Sequence, residues 1–260
     1  SFVADGESHD EIAVGHQPWF GTKRPFTARS TQRLTAPAGG IIGSASDVAR
    51  YMAVMMNGED DIISAESKAA MLRPASAVSP HYGFGWVIDD TDGTAYHAGT
   101  SPGVETLAVL YPAEQKGVVV LVNTGSGMGF GETSNLLTGV SARALGLDWP
   151  RDESQRGRQL LYLTFLLMPL LFVGGIIVAW SRRAGLRSKS GPSGVFSLWF
   201  PLLMTGALGI TAVYVIPRLF GVSLQTLNLY QPDAVLLLTA TAITGIAWAV
   251  FRLGIYYIGR

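Results

Sequence analysis

The residues best suited to chemistry lie close together in residues 96–103, which have the sequence YHAGTSPG. His97 can donate a hydrogen bond in either protonation state, and histidine titrates near neutral pH. At Gly99, the missing side chain lets a ligand approach the backbone closely, although a glycine within a strand can equally mark a bulge. His97 alone is well explained as a structural strand histidine with a satisfied hydrogen bond. The flanking sequence therefore has to show whether His97 belongs to a functional site.

The flanking sequence predicts that this stretch lies in an antiparallel meander. Apolar runs occupy residues 82–88, 104–111 and 118–123. Asp92-Gly93, which follows the first run, is a strong hairpin signal, and residues 112–117 form a second turn. The meander therefore has three or four strands, and it places His97 and Gly99 on one of them.

Helices are predicted on both sides of this meander. Ser44 and Asp47 resemble a capping box and open a helix that ends near Asn57, with apolar positions from Val48 to Met56, Tyr51 included, on its core face. A second short helix begins at Ser64. Residues 129–145 form a last helix that Gly146 stops, whereas residues 1–40 are predicted to be loop.

Taken in order, these motifs resemble the serine beta-lactamase and penicillin-binding-protein-like hydrolases over roughly residues 10–145. The pieces that carry the resemblance are AVGH and WFG within residues 13–21, PAGG at 37–40, SASD at 44–47, YGFGW at 82–86 and HAG at 97–99. The last piece occupies the position of the third motif of that family, which is Lys-Thr-Gly or His-x-Gly. No single piece is specific, but the ordered set is.

The resemblance implies a role for each residue of the candidate site. His97 and Thr100 are the expected catalytic residues. His97 presents a hydrogen-bond donor near the nucleophile and the substrate, and the backbone N–H of Thr100 supplies one half of the oxyanion hole. The expected substrate-binding residues are Gly99 and Ser101 on the strand, and Ala38 and Gly39 near the acyl-side pocket.

Two motifs of that family do not occur in the sequence. The family's nucleophile lies in Ser-x-x-Lys and its second motif is Tyr-x-Asn or similar, and Ser64 and Lys68 are four residues apart. We therefore expect residues 1–260 to be the C-terminal part of a longer protein and to be inactive alone. The implied mechanism is acyl-enzyme formation by an upstream serine, activated by a lysine and a tyrosine.

Composition divides the chain into two unlike regions. Residues 1–158 contain twelve Lys and Arg against eighteen Asp and Glu, whereas residues 159–260 contain seven against one. Basic residues do not cluster in the first region, which argues against nucleic-acid binding. The sequence has no cysteine, which excludes disulfides and thiol catalysis, and its four histidines lack metal-ligand spacing. We expect no metal and no cofactor.

Three uncharged runs in the second region predict transmembrane helices. Residues 159–180, 195–217 and 234–251 are each long enough to cross a hydrocarbon core of about 30 Å. Basic residues concentrate in residues 181–194, so the positive-inside rule places this loop and the C-terminus in the cytoplasm. No ionisable residue lies deep in a run, which favours an anchor over a conducting role.

The sequence thus predicts an α+β domain over residues 1–150, in which helices pack on an antiparallel sheet. A linker follows over residues 151–158, and residues 159–260 form an all-α region of three transmembrane helices. The expected function is that of a membrane-anchored, extracytoplasmic serine hydrolase that cleaves peptides or small esters, with the lipid bilayer as its other partner. The alternative is a non-catalytic, penicillin-binding-like receptor or sensor domain on a membrane module. The oligomeric state stays open.

Overall fold

The computed structural model describes residues 12–26, 36–128, 131–148 and 155–258. The chain divides into two compact units. The first unit is Ser1–Gln17, Lys23–Ser126 and Gly131–Asp152, and the second is Pro18–Thr22, Gly127–Phe130 and Glu153–Arg260. The architecture is the expected α+β arrangement of antiparallel sheets and helices, followed by long apolar helices.

The strands form two antiparallel sheets. The smaller sheet pairs β1 (Gly15–Trp19) with β2 (Thr22–Phe26), and the larger has the order β3-β4-β5-β6, with β3 (Val87–Asp89), β4 (Thr94–Ser101), β5 (Val104–Tyr111) and β6 (Lys116–Val122). This larger sheet is the predicted meander in its four-stranded form. Its register sets His97 opposite Ala108 and Thr100 opposite Glu105 on β5.

Four helices accompany these sheets: α1 (Ala36–Gly39), α2 (Ala45–Met56), α3 (Ala65–Met71) and α4 (Glu132–Leu145). The capping box predicted at the start of α2 is present, because the Ser44 side chain accepts from the Asp47 N–H and the Asp47 carboxylate accepts from the Ser44 N–H. Ser64 caps α3, and Gly146 ends α4 in the left-handed conformation.

The larger sheet is covered on both faces. Met52 and Met55 of α2 form one core with Leu110 of the sheet, and Leu137 of α4 forms a second core with Leu107. The alternation of side chains along each strand requires this two-sided cover. The sheet is therefore held rigid over most of its area.

Two features of the first 100 residues differ from the prediction. Residues 1–40 are not all loop, because β1, β2 and α1 form there. Phe20 and Gly21 both have positive φ, as in the tight two-residue hairpin turns for which Asn-Gly is the usual signal. Phe-Gly is a weak version of that signal. Tyr51 is not in the core: it is 46% exposed and stacks on Trp86, with ring centroids 6.5 Å apart.

The second unit consists mainly of long helices. They are α5 (Gln155–Ser181), α6 (Arg183–Arg187), α7 (Gly191–Ile210), α8 (Ile216–Leu219), α9 (Leu224–Tyr230) and α10 (Pro232–Ile258), with a π-helical segment, Thr211–Val215, between α7 and α8. Within the described residues, three segments are long and apolar enough to cross a membrane: Arg156–Ser181, Gly191–Leu219 and Pro232–Ile258. These match the three predicted runs.

Small residues let α10 approach its neighbours. A side chain at Gly175 of α5 would come within 2.8 Å of the Trp248 indole, and one at Gly209 of α7 would lie 3.4 Å from the Ala242 Cβ. At Gly206 of α7, by contrast, a Cβ would meet nothing within 4 Å. Gly206 therefore faces open space instead of a neighbouring helix.

Candidate functional site

His97 is exposed on β4, and its ring is oriented by a single backbone contact. The Nδ1 atom lies 2.6 Å from the Gly85 carbonyl oxygen. Because a carbonyl oxygen can only accept, Nδ1 carries the proton, and in the neutral ring Nε2 is an acceptor. His97 therefore donates through Nδ1 in either protonation state, whereas its Nε2 donates only when the ring is charged.

The Gly85 carbonyl is held in place by the YGFGW segment. Gly83 lies so close to the end of α3 that a Cβ would come within 2.2 Å of the Met71 carbonyl oxygen. The Gly83 N–H donates to Trp86, whose side chain is 4% exposed in the core, and Gly85 has a φ of +83°. This conformation suits glycine alone. The segment predicted as a strand is thus mostly a tight turn that supports His97.

Beyond His97, β4 has a free edge on the side of β3. β3 pairs only with residues 94–96 of β4. The Ile88 N–H donates to His81, away from β4, so the flanking backbone of Val87 and Asp89 faces β4. Since backbone groups alternate in direction along an antiparallel strand, the N–H of Thr100 points to this free edge. Among the described residues no strand pairs with this part of the edge, so the Thr100 N–H is accessible to a ligand.

Gly99 has a structural reason to be glycine. A Cβ there would lie 2.5 Å from the Oγ1 of Thr106 on β5, so any side chain would displace its cross-strand neighbour. Ser101 ends β4 in an exposed position before the Pro102–Gly103 turn. Contact of Gly99 and Ser101 with a substrate stays a prediction.

Ala38 and Gly39 are exposed in the short helix α1. Their assignment to the acyl-side pocket likewise stays a prediction. Among the described residues, no cluster of three or more His, Asp or Glu side chains is arranged to hold a metal ion.

His16 anchors the chain next to the sheet. Its N–H donates to the Gly103 carbonyl at 2.9 Å, and its Nδ1 lies 3.0 Å from the Asn123 carbonyl. The Asn123 amide in turn donates to Val14 at 3.0 Å. These contacts tie the end of the β4–β5 hairpin to the end of β6. These contacts favour a role for His16 as an anchor of the loop over a role as a pocket residue.

Sequence reasoning missed Glu105, a carboxylate that is 8% exposed on β5. It accepts from the Ser126 N–H at 2.5 Å and from the Ser134 hydroxyl at 3.1 Å. Glu105 is the cross-strand neighbour of Thr100. These bonds therefore hold β5 in place, and β5 pairs with the part of β4 that contains Thr100. The available signal was an acid in the otherwise uncharged run of residues 104–111.

Lys68 and Asp61 form a second polar cluster, which supports α3. Lys68 is 2% exposed, and its ammonium donates to Asp61 at 2.5 Å, to Asn57 at 2.9 Å and to the Glu59 carbonyl at 2.8 Å. The hydrogen bond from Lys68, with a second from Asn57, lowers the pKa of the Asp61 carboxyl to about 2. Lys68 is a structural residue of α3. It stabilises the helix whose last residue, Met71, packs against Gly83.

This cluster predicts a loss of stability in acid. A carboxyl whose pKa is lowered by folding, from 3.8 to about 2 here, stabilises the fold above the unfolded-state value, and this contribution is lost as the pH falls toward 2. We expect urea denaturation of the wild type to show a drop in stability between about pH 4 and pH 2 that Asp61→Asn largely lacks. Asp90→Asn, in an exposed turn, is the control and should keep the drop. Identical pH profiles for wild type and Asp61→Asn would contradict the assignment.

Comparison with known protein families identifies the family of this chain. The profile of the Beta-lactamase family matches residues 4–143, which is more than half of the chain. The chain therefore belongs to the Beta-lactamase family. A search of curated proteins finds no match.

Proposed function

We propose that this chain belongs to a membrane-anchored serine hydrolase that acts on peptides or small esters. Its contribution is the strand that carries the third motif, residues 97–99, and lines one side of the active site. Membership of the Beta-lactamase family, whose members include serine hydrolases, supports the reaction class. Three helices of sufficient length and hydropathy support the anchor. The observation that carries the proposal is the edge of β4 that no described strand pairs, which presents the Thr100 N–H three residues beyond His97 on the same strand.

In the proposed mechanism a serine attacks the substrate carbonyl, and the carbonyl oxygen becomes an oxyanion. The Thr100 N–H then donates to this oxyanion, together with the N–H of the nucleophile itself. Acyl transfer to the serine releases the leaving group, and water hydrolyses the ester. Because the sequence has no Ser-x-x-Lys, the proposal assigns the nucleophile and its base to residues outside this sequence.

The Gly85 contact limits what His97 contributes. With Nδ1 bound to Gly85, neutral His97 offers Nε2 as an acceptor to a hydroxyl or ammonium group of the catalytic machinery or of the substrate. Charged His97 offers an N–H to a substrate carboxylate. In both states the ring keeps one orientation, which is the preorganisation that catalysis requires.

The first test is covalent labelling. A fluorophosphonate or penicillin probe should label the complete hydrolase purified from its native membrane, and it should leave a recombinant chain of residues 1–260 unlabelled. The reason is that the sequence has no serine in a Ser-x-x-Lys setting to attack the probe. The readout is mass spectrometry of the labelled peptide.

Two results would contradict the proposal. Labelling of a serine within residues 1–148 would show that the nucleophile lies in this chain. A complete protein that binds the probe without any covalent bond would favour the alternative, a non-catalytic receptor, which the absence of both upstream motifs from this sequence also permits.

The proposed orientation predicts different accessibility for two single cysteines. Ser76→Cys lies on the exposed surface of the first unit, and Ser188→Cys follows α6 within the Arg-rich residues 181–194. In intact cells, an impermeant thiol reagent should label position 76 and leave position 188 unlabelled, because the positive-inside rule retains that loop in the cytoplasm. Both should label after permeabilisation. The reverse pattern in intact cells would overturn the orientation.

A further inference from the structure

An open apolar groove lies between α7 and α10 in the helical unit. It has a volume of about 480 Å³, and its walls include Gly206, Ile210 and Tyr214 on one side and Ala242 and Ile246 on the other. Tyr214 is 57% exposed and Ile210 is 64% exposed, so no described residue covers them. The groove belongs to two of the segments that are able to cross a membrane.

Two glycines shape this groove. At Gly209 the helices approach closely, because a Cβ would lie 3.4 Å from the Ala242 Cβ, and this contact forms the floor. At Gly206 a Cβ would meet nothing within 4 Å, so the missing side chain leaves a free channel. The π-helical segment Thr211–Val215 then interrupts the α-helix and carries Tyr214. Such interruptions are frequent at functional sites.

A single cation is positioned at one end of the groove. The Arg218 guanidinium lies 3.6 Å from the centroid of the Tyr214 ring, which is itself part of the groove wall. Arg218 is the next-to-last residue of the segment Gly191–Leu219, where a membrane-crossing helix reaches the headgroups. Among the described residues, no carboxylate forms an ion pair with Arg218. Its charge is therefore available to a ligand.

The dimensions fit one acyl chain. Gly206 and Arg218 are twelve residues apart, or about 18 Å at about 1.5 Å per residue. One leaflet of a hydrocarbon core of about 30 Å is about 15 Å deep. An apolar channel of this length that ends at a cation complements a hydrocarbon tail joined to a negative headgroup.

We propose that this groove binds one anionic phospholipid, with an acyl chain along Gly206 and Ile210 and its phosphate on Arg218. Guanidinium binds phosphate through two parallel hydrogen bonds, while the Tyr214 ring supports its other face. The inference rests on the proposed insertion of these helices in a membrane and is independent of the hydrolase chemistry.

The test is native mass spectrometry of the full-length protein in detergent, titrated with phosphatidylglycerol or with phosphatidylcholine. The wild type should retain one phosphatidylglycerol per chain and bind it about tenfold more tightly than phosphatidylcholine. Both headgroups contain a phosphate, but the choline cation of phosphatidylcholine competes with Arg218 for it and cancels the net negative charge. Gly206→Leu should abolish binding of both lipids, because the side chain fills the channel. Arg218→Gln should reduce phosphatidylglycerol to the level of phosphatidylcholine.

Matched controls make the same changes away from the groove. Gly174→Leu adds the same side chain at a helical glycine that also faces open space, and Arg183→Gln removes an arginine that also stacks on an aromatic ring, 4.9 Å from the Trp180 centroid. Both should bind lipid like the wild type.

Three outcomes would overturn the proposal. The first is unchanged lipid binding in Gly206→Leu, and the second is equal affinity of the wild type for the two lipids. The third is a wild-type dimer that Gly206→Leu converts to a monomer without loss of lipid, since a second copy would then occupy the groove. Failure of the helices to insert in a membrane is a separate result. A carbonate wash detects it without any lipid-binding measurement, because the wash releases a protein that is not inserted.

Discussion

In the proposed hydrolase, the His97→Ala variant is expected to lose about a hundredfold or more in kcat/KM. Loss of one preorganised hydrogen-bonding group at a transition state costs about 2.7–4 kcal/mol. His97 is exposed beside the free edge of β4, and its Nδ1 is already satisfied by Gly85 at 2.6 Å. In the proposed site, its Nε2 is the ring nitrogen left to meet a substrate. The measurement is steady-state kinetics with an ester substrate.

The thermal stability of His97→Ala should change little. The variant loses one hydrogen bond, worth about 0.5–1.5 kcal/mol net, and the Gly85 carbonyl that it exposes can bind water because Gly85 is exposed. His97→Lys should recover part of the activity, since related hydrolases use lysine at this position. His81→Ala, at an exposed histidine of the same unit, is the control and should keep full activity. A His97→Ala enzyme with full turnover, or one that unfolds, would show that the histidine is structural.

The Gly83→Ala variant is expected to be destabilised by about 1–3 kcal/mol or more. The new Cβ would lie 2.2 Å from the Met71 carbonyl oxygen and 2.8 Å from that of Arg73. Both are backbone atoms, and the Met71 oxygen is held by the Phe84 N–H at 3.1 Å. Neither can move without opening the end of α3. Thermal unfolding of the protein should show a melting temperature lower by several degrees.

A matched substitution separates this clash from a general effect of adding a methyl group. At Gly43 the new Cβ would make only an ordinary contact, 3.8 Å from the Asp47 Cβ, so Gly43→Ala should unfold close to the wild-type temperature. Gly83→Ala should also lose activity at temperatures where it remains folded, because the turn it distorts holds the Gly85 carbonyl on His97. Equal stability of the two variants would contradict the close approach at Gly83.

The helices and the four-stranded meander could be predicted because their signals are local. Ser44 and Asp47 are three residues apart, and the Asp92-Gly93 turn lies between the strands that it joins. The three apolar helices of the second unit could also be predicted, since length and hydropathy suffice to find them. The family followed from the order of short motifs along the chain, and its profile match over residues 4–143 confirms it.

The role of YGFGW could not be predicted, because a pattern of glycines and aromatics does not say what lies next to each glycine. Gly83 is glycine because of Met71, twelve residues earlier, and Gly85 matters because its carbonyl orients His97, twelve residues later. Glu105 was missed for the same reason, since its partners Ser126 and Ser134 are 21 and 29 residues away. The groove at Gly206 likewise depends on Ala242 and Ile246, which follow it by 36 and 40 residues.

The sequence by itself thus determined the class of fold, the family, the number of apolar helices and the strand that bears His97 and Thr100. These depend on composition, periodicity and turn residues within short windows. Tertiary structure decided which nitrogen of His97 binds the Gly85 carbonyl, that no described strand pairs with the edge that carries the Thr100 N–H, and that Lys68 is a buried residue that supports α3. The physical reason is that a hydrogen bond or a close approach depends on a partner brought from elsewhere in the chain, and strand pairing and helix packing alone select that partner.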